Sequence, residues 1–444
     1  MTTKLAFNQI DGMAVNVKDF GAVGDGVTND GQAFVDADAA ATALGGAAIS
    51  VPPGTYIISS TFVLGAGNSL IGQARGSTII KQINTSVDGI QLSGVNTIRN
   101  IRIEAPSGNV NTTTVGINSS GTSDNIIEQV RVLYFGFGVK STGLTWRQSY
   151  IHVRVENPTN TGFHFEETNS HLEIYLLQCY VVNNSTLGLT NKISYYISGS
   201  KGTYMNNCTS DGGSAVGTNN TGMSVINSNV VMDTSHWEGY DVPAGAIPGT
   251  DMDSLIHVKG SELIINGLHC QAITPATAAV GAVVYGEDSS RIVINNVVLN
   301  NSTLTAYTTQ HVGLSHGFGD NLCEMQGGLR ELVLKEAGSA AGTAKFTRAG
   351  LEDKRTSDTV SFTIDVNTLG SIVFIGSSGD LTDLTNQHSD GQRVRIVHRL
   401  VGVTVKQGRL RMQSGGDFTA TSNAMQVFEY SSEGDFWSEV SHVA

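Results

Sequence analysis

VKDFGAVGDGVTND, residues 17–30, holds three glycines and four aspartates or asparagines just ahead of a helical pattern. A phosphate-cradling loop is the first reading to test. Gly21 to Thr28 fits the G-x-x-x-x-G-x-[ST] spacing, but the position that needs lysine is Val27, and Asp25 sets negative charge where a phosphate would sit. The dinucleotide fingerprint fails too, because Gly24-x-Gly26-x-x ends in Asn29. Neither nucleotide reading stands. Asp30 is instead a good N-cap, and Ala33, Phe34, Ala37, Ala40, Ala41 and Leu44 recur at helical spacing. Gly45-Gly46 stops that helix, and AAISVPPGTYIISSTFVL (47–64) reads as strand, turn, strand.

The whole chain agrees with a β-rich reading. Its 444 residues allow a large core and more than one domain. Only 15% are charged, seven are proline, and Gly, Ser, Thr and Asn are plentiful, which favours many short strands over a helical or α/β enzyme. A net charge of −13 with no basic block argues against a nucleic-acid partner. An acidic polysaccharide partner would need local basic residues. MTTKLAFNQIDGM has no apolar h-region and no window reaches membrane-span length, so the expectation is synthesis in the cytoplasm, with no membrane insertion. Cys179, Cys208, Cys270 and Cys323 lie far apart without CxxC spacing, which suits buried thiols better than zinc or a disulfide framework. No cofactor is expected.

DFGAVGDGVTND, an amphipathic helix, Gly-Gly and then VPPGTY together resemble the N-terminal cap of pectate-lyase-like β-helix proteins, among which bacteriophage tailspikes are prominent. The match covers roughly residues 15 to 80. It implies a fold and is silent on the reaction.

A β-helix should repeat short strands at irregular intervals. IRNIRIE (98–104), IEQVRVL (127–133), YIHVRVE (150–156), LLQCYVV (176–182), MNNCTSD (205–211), DTSHWE (233–238), INGLHCQ (265–271) and INNVVLN (294–300) do so. Aligning Ile101, Val130, Val153, Cys179, Cys208, Ser235, Leu268 and Val297 gives steps of 29, 23, 26, 29, 27, 33 and 29. These residues suit inward stacking in a narrow core. Asn pairs at 183–184, 206–207, 295–296 and 300–301 suit turns and coil-to-coil ladders. The expected fold is therefore all-β: a right-handed parallel β-helix, plugged at one end by the N-terminal helix.

The expected domains are a short leader or virion-attachment peptide (1–15), the cap (16–80), the β-helix (81–335) and a C-terminal unit (336–444). In that last unit, strand-like runs alternate with SSGD, SDG and QSGGD turns, which reads as an antiparallel β-sandwich or β-prism. NAMQVFEYSSEGDFWSEVSHVA resembles the terminal hairpin of phage spike proteins, with Trp437-Ser438-Glu439 as its Trp-x-Glu. That resemblance implies a homotrimer and a role in host binding. The short leader fits docking on a phage adapter or baseplate protein, and equally a chain cut short.

The NTD, DD, GHG and RIK blocks of polygalacturonase-type members are absent as a set, with SHGFG (315–319) a partial echo. No pectate-lyase-type calcium cluster is evident, and no metal site is expected. Stacking logic finds the best constellation elsewhere. MNNCTSDG (205–212) and MDTSHWEG (232–239) align without gaps, setting Asp211 over Glu238 and Thr209 over His236. GLHCQ adds His269 and Gln271 in register. With Cys208, Ser235 and Leu268 inward, alternation turns these six side chains outward on coils ~4.8 Å apart. Paired carboxylates then fall in the ~5–9.5 Å span over which retaining and inverting glycosidases differ. One would protonate the glycosidic oxygen while the other activates water or attacks. Asp211 and Glu238 also resemble Cys-x-x-Asp and Glu-Gly positions on successive coils of related tailspikes. The alternative is that both bind coil-edge amides. Trp237 offers a face for sugar stacking, or else faces the core or a turn.

A second cluster, GFHFEETNSHLEIY, holds His164, Glu166, Glu167, His171 and Glu173, with His164 and Glu166 on one face beside Arg154 or Arg147. It reads as a hydrolase or lyase site, or as a solvated loop. Tyr195, Tyr196, Tyr204 and Trp146 are sugar platforms or packing residues, and Asp241, Asp251 and Asp253 belong to a long loop between coils. The resulting expectation is a tailspike in the virion that cleaves bacterial capsule or O-antigen by endo-glycoside hydrolysis at Asp211 and Glu238. His236 joins them as the third catalytic residue. Thr209, Trp237, His269, Gln271, Glu166, His164 and Tyr204 would hold the substrate. Rivals are a polysaccharide lyase, a binding-only receptor protein and a cellular enzyme acting on plant polysaccharide.

Overall fold

The computed structural model describes residues 14–167 without a break and, beyond them, the strands and some joining residues as far as Val443. The chain divides into two compact units. One runs to Ile256 and takes in Asn266–Ala278 and Val298–Ala306, while the other comprises His257–Ile265, Ala279–Val297 and Tyr307 onward.

The first unit is a right-handed parallel β-helix. Each coil gives one strand to one sheet, as Phe137–Thr142, Thr161–Glu166, Ile193–Ser198 and Thr221–Ile226 do, pairing in parallel and in order. It gives two further strands, either side of a sharp bend, to the other sheet. Past the bend, Arg102–Glu104, Arg131–Leu133, Arg154–Glu156, Tyr180–Val182 and Thr209–Asp211 stack in register. The bend falls at Asn100, Gln129, His152, Gln178, Asn207 and Thr234, whose φ values run from 49° to 57°. Each stands one residue before a member of the repeat read from the sequence. At the first five of these the backbone N–H bonds the next coil, as Gln129 N to Ile151 O (2.9 Å) and Gln178 N to Asn206 O (2.9 Å), which pairs those donors along the corner. Side chains ladder there as well: Gln129 Nε2 and His152 Nδ1 are 3.1 Å apart, and His152 Nε2 meets Gln178 Oε1. A second, buried ladder runs through Asn68, Asn96 and Asn125, with Asn96 Nδ2 donating to Asn68 O and Asn96 N to Asn125 Oδ1.

Alternation fills the interior with two columns. Ile101, Val130, Val153, Cys179, Cys208, Ser235 and Leu268 form one, and Ile103, Val132, Val155, Val181, Ser210, Trp237 and Cys270 the other, all buried. Opposite the second column the sheet carries glycines, because the core is too thin there for a side chain. A Cβ on Gly138 would lie 2.3 Å from Val155 Cγ1 and 2.8 Å from Gly162 O. Gly138→Ala is therefore expected to destabilise the protein by at least about 1–3 kcal/mol, the usual cost of overpacking, read as a lower unfolding temperature. An unchanged temperature would mean the coils separate easily.

The helix Gly31–Ala43 buries Ala33, Phe34, Ala37 and Ala41, with the Phe34 ring edge-on to Tyr56 (5.6 Å) and Phe62 (5.5 Å). Leu44, expected on that face, is 59% exposed just past the helix end. Asp30 makes no side-chain cap bond. Its carboxylate accepts Val23 N (2.6 Å) and Gly24 N (3.3 Å). Asp25 accepts Val27 N (2.9 Å) and Thr28 N (2.7 Å), and the bonds from Thr28 and Val27 hold its carboxyl below the usual carboxylate range. The amides of Val23, Gly24, Val27 and Thr28 are thus occupied by the loop's own aspartates, which makes them unavailable to an anion.

In the second unit, Arg291–Asn300, Asn321–Gln326 and Ala344–Arg348 pair in parallel, and Leu351–Lys354 pairs antiparallel with the last of them. Two small sheets follow. The strands Ser361–Asp365, Gly379–Thr385, Val403–Val405 and Phe418–Thr419 form one. Ile372–Ile375, Arg393–His398, Leu410–Arg411, Met425–Ser431 and Phe436–Val443 form the other. The expectation of an antiparallel tail needs correction: the sheets are mixed. Up to Arg411 the strands alternate between the two sheets, so successive strands of one sheet run the same way, as Ile372–Ile375 and Arg393–His398 do. The terminal hairpin is antiparallel. Trp437 is buried in it, 5.3 Å from the Tyr430 ring, and Glu439 Oε1 accepts Gln426 Nε2 at 2.8 Å.

Candidate functional site

The strand Thr209–Asp211 lies beside the end of Asn229–Glu238 with Thr209 opposite His236 and Asp211 opposite Glu238. Cys208 and Ser235 point inward, so the polar residues face out, as alternation requires. His236 is the hub. Its Nε2 is 3.2 Å from Glu238 Oε2 and its Nδ1 is 2.7 Å from Nδ1 of His269 on the next coil. For this contact to be a hydrogen bond, one imidazole must present a bare nitrogen to the other's N–H. Gln271 is exposed at the edge of the same face. Asp211, Glu238, His236, Thr209, His269 and Gln271 are thus one outward surface of side chains on three coils.

Trp237 does not join them. Its ring is fully buried, stacked 6.3 Å from Tyr195. The ring fills space left by Gly222, where a Cβ would lie 2.6 Å from Trp237 Cζ3. No sugar can reach it. His164 and Glu166 are also separated from the carboxylate pair, because their strand belongs to the single-strand sheet. There His164 Nε2 lies 3.3 Å from Glu166 Oε2, and the imidazole stacks on Tyr196 at 4.6 Å; burial lowers its pKa. Arg147 and Arg154, expected beside them, pair instead with Asp124 and Glu156 (both 2.5 Å). Tyr204 lies across the bend from Asp211, half exposed and stacked on Tyr175 at 5.7 Å. His171, Asp251 and Asp253 lie outside the described residues.

Sequence reasoning missed Tyr180. It stands on the rung below Thr209, near enough to Asp211 and Glu238 to feel their charge, with the Arg154 guanidinium 4.8 Å from its ring centre. Burial, then the charge of Asp211, raises its pKa, which disfavours it as a proton-abstracting base. The signal was present: Tyr180 follows Cys179 as Thr209 follows Cys208. Among the described residues no group of three or more His, Cys, Asp or Glu is arranged to hold a metal ion, and no helix is long and apolar enough to cross a membrane.

Stacked coils carrying a His–Glu–Asp surface define a parallel β-helix protein of the pectate-lyase-like class. The chain belongs to the family described as rhamnogalacturonase A/epimerase, pectate lyase-like, whose model matches residues 14–242. It is 29% identical over 170 residues to mannuronan C5-epimerase AlgE6 of Azotobacter vinelandii, covering 36% of this chain and 18% of that protein. Over 85 residues it is 38% identical to plasmin and fibronectin-binding protein A of Streptococcus pneumoniae, covering 19% of this chain and 12% of that one. The chain thus spans less than a fifth of these relatives' length. In structure it is similar to the gp42 tailspike of Acinetobacter phage vb_AbaP_AS12, with a TM-score of 0.56, 12% identity, and coverage of 98% of this chain and 82% of that one. The adhesin PfbA of S. pneumoniae gives a TM-score of 0.52 at 14% identity, covering 97% and 98%. These two likenesses are of fold.

Proposed function

We propose that the protein is a tailspike that binds a bacterial surface polysaccharide, capsule or O-antigen, and cuts it by glycoside hydrolysis at Asp211 and Glu238. The observation that carries this reading is the Asp211–Glu238 rung, two carboxylates on adjacent parallel strands with His236 hydrogen-bonded to one of them. Glu238, accepting from His236 Nε2–H, acts as the carboxylate that attacks or activates water. Asp211 supplies the proton to the leaving oxygen; in a retaining cycle Glu238 carries the glycosyl group, and Asp211 then takes the proton of the water that displaces Glu238. Thr209, His269 and Gln271 line the sugar. The fold likeness to a phage tailspike supports a virion component, which would act as a homotrimer docked through its N-terminus on an adapter or baseplate protein. Relatives named as epimerases and an alginate lyase support chemistry on polysaccharides in general.

A second reading, β-elimination on a uronate, is favoured by one feature: Arg154 lies against Tyr180 on the same face. Digestion of a panel of capsules and O-antigens separates the two. Hydrolysis is expected to shorten the polymer and release new reducing ends without the ultraviolet absorbance of an unsaturated uronate. That absorbance on the product would establish the lyase, and unchanged chain length across the panel would leave a binding-only spike.

A further inference from the structure

Below Tyr180 the outward column of this face turns basic. Arg154, Arg131 and Arg102 occupy successive rungs in register. Glu104 pairs with Arg102, and Glu156 serves both other arginines. Arg131 grips it with two bonds (2.6 and 2.5 Å), and Arg154 Nε lies 2.5 Å from it. From the loop between Ser69–Gly72 and Thr78–Gln82, Arg75 reaches over this surface to His152 O at 3.5 Å. Among the described residues Arg75 makes no ion pair. Arg75, Gly76, Arg131 and Arg154 line a hollow of about 410 Å³.

The charges around the hollow do not cancel. Three guanidinium groups line it, while Glu156 pairs with two of them and Glu104, paired with Arg102, adds a weaker pull on Arg131, on a chain whose net charge is −13. Each guanidinium carries five N–H donors; Glu156 accepts from Nε and Nη2 of Arg131, and its contact with Arg154 Nε is an ion pair without hydrogen-bond geometry. The remaining donors of Arg131 and Arg154, with side chains 33% and 41% exposed, are available to the hollow. A guanidinium fork matches a pair of anionic oxygens, carboxylate or phosphate, better than it matches a hydroxyl. A structural role for the ladder accounts for Arg131 and Arg154 against Glu156, but not for Arg75.

We infer that the hollow between Arg75, Arg131 and Arg154 is a subsite for an anionic substituent of the polysaccharide, a sugar carboxylate or a phosphodiester. It lies two to three rungs, ~10–14 Å along the coil axis, from Asp211. The inference rests on reading this face as the polysaccharide groove. It makes the substrate an acidic polymer, with the charged unit held a short oligosaccharide away from the bond that breaks.

The test measures binding, in the Asp211→Asn background, to acidic capsules and to the same polymers after carboxyl reduction or after dephosphorylation. Native acidic polymer should bind at least ~10-fold more tightly than the neutralised form, with a steep loss in salt. The treatment that abolishes the difference identifies the anion. Arg75→Gln, which breaks no ion pair, and the triple variant Arg131→Gln/Arg154→Gln/Glu156→Gln, which strands no buried charge, should each lower affinity for the acidic polymer and leave the neutralised polymer unaffected. Equal binding of native and neutralised polymers, or equal losses for both in the variants, would overturn the subsite. Neither result depends on turnover, so failure of the hydrolysis reading would be seen separately.

Discussion

Asp211→Asn and Glu238→Gln are each expected to lower turnover by at least ~10²-fold, the low end for removing a positioned acid or base, while polysaccharide binding persists. Both side chains face outward from strands whose pairing is made by backbone, so the near-isosteric amides should leave the coils intact. The loss should therefore appear in kcat. Reducing-end release on an accepted polymer measures the rate, and retention on immobilised polymer measures binding. Near-normal turnover in either variant would sink the assignment and direct attention to His164 and Glu166 on the other sheet.

Trp237→Ala is expected to have the largest effect on stability, about 3–5 kcal/mol, the range for deleting a buried aromatic side chain. The indole is sealed between Tyr195 and the space over Gly222, so its removal leaves a cavity that parallel coils cannot collapse to fill. A fixed-rate thermal scan against the native protein reads the loss, as a fall in apparent melting temperature. A sugar platform would behave oppositely, with weaker polysaccharide binding and unchanged melting.

These two substitutions mark what the sequence could and could not tell. Period-two alternation, applied to gapless coils, set Asp211 beside Glu238 and Thr209 beside His236 with both carboxylates outward. The same rule turns Trp237 inward, but whether so large a ring fits depends on Gly222, which belongs to a different strand. Distance along the chain hid that partnership. Tyr180, Arg131 and Arg102 were missed because the outward column runs on below the three coils that bear the carboxylates, and Arg154, expected beside His164, belongs to that column instead. Asp30 does occupy the N-cap position, but only the folded loop reveals that Val23 and Gly24, and not the helix, claim its carboxylate. The repeat was legible as a column of inward residues. The left-handed residues preceding it carry Asn, Gln, His and Thr, with no common side-chain type to announce a bend.

That bend has a consequence for how the protein can change. Strands on either side of it are separated by the same two residues in coil after coil, as between Arg99 and Arg102, Glu128 and Arg131, Leu177 and Tyr180, and Asn206 and Thr209. Variation in coil length is absorbed at the remaining corners. Insertions can therefore accumulate there while the spacing of the two faces that meet at the bend stays fixed. The corner works as a ruler, and a recombinant protein assembled from foreign loops should keep its carboxylate rung in place if grafts avoid that one edge.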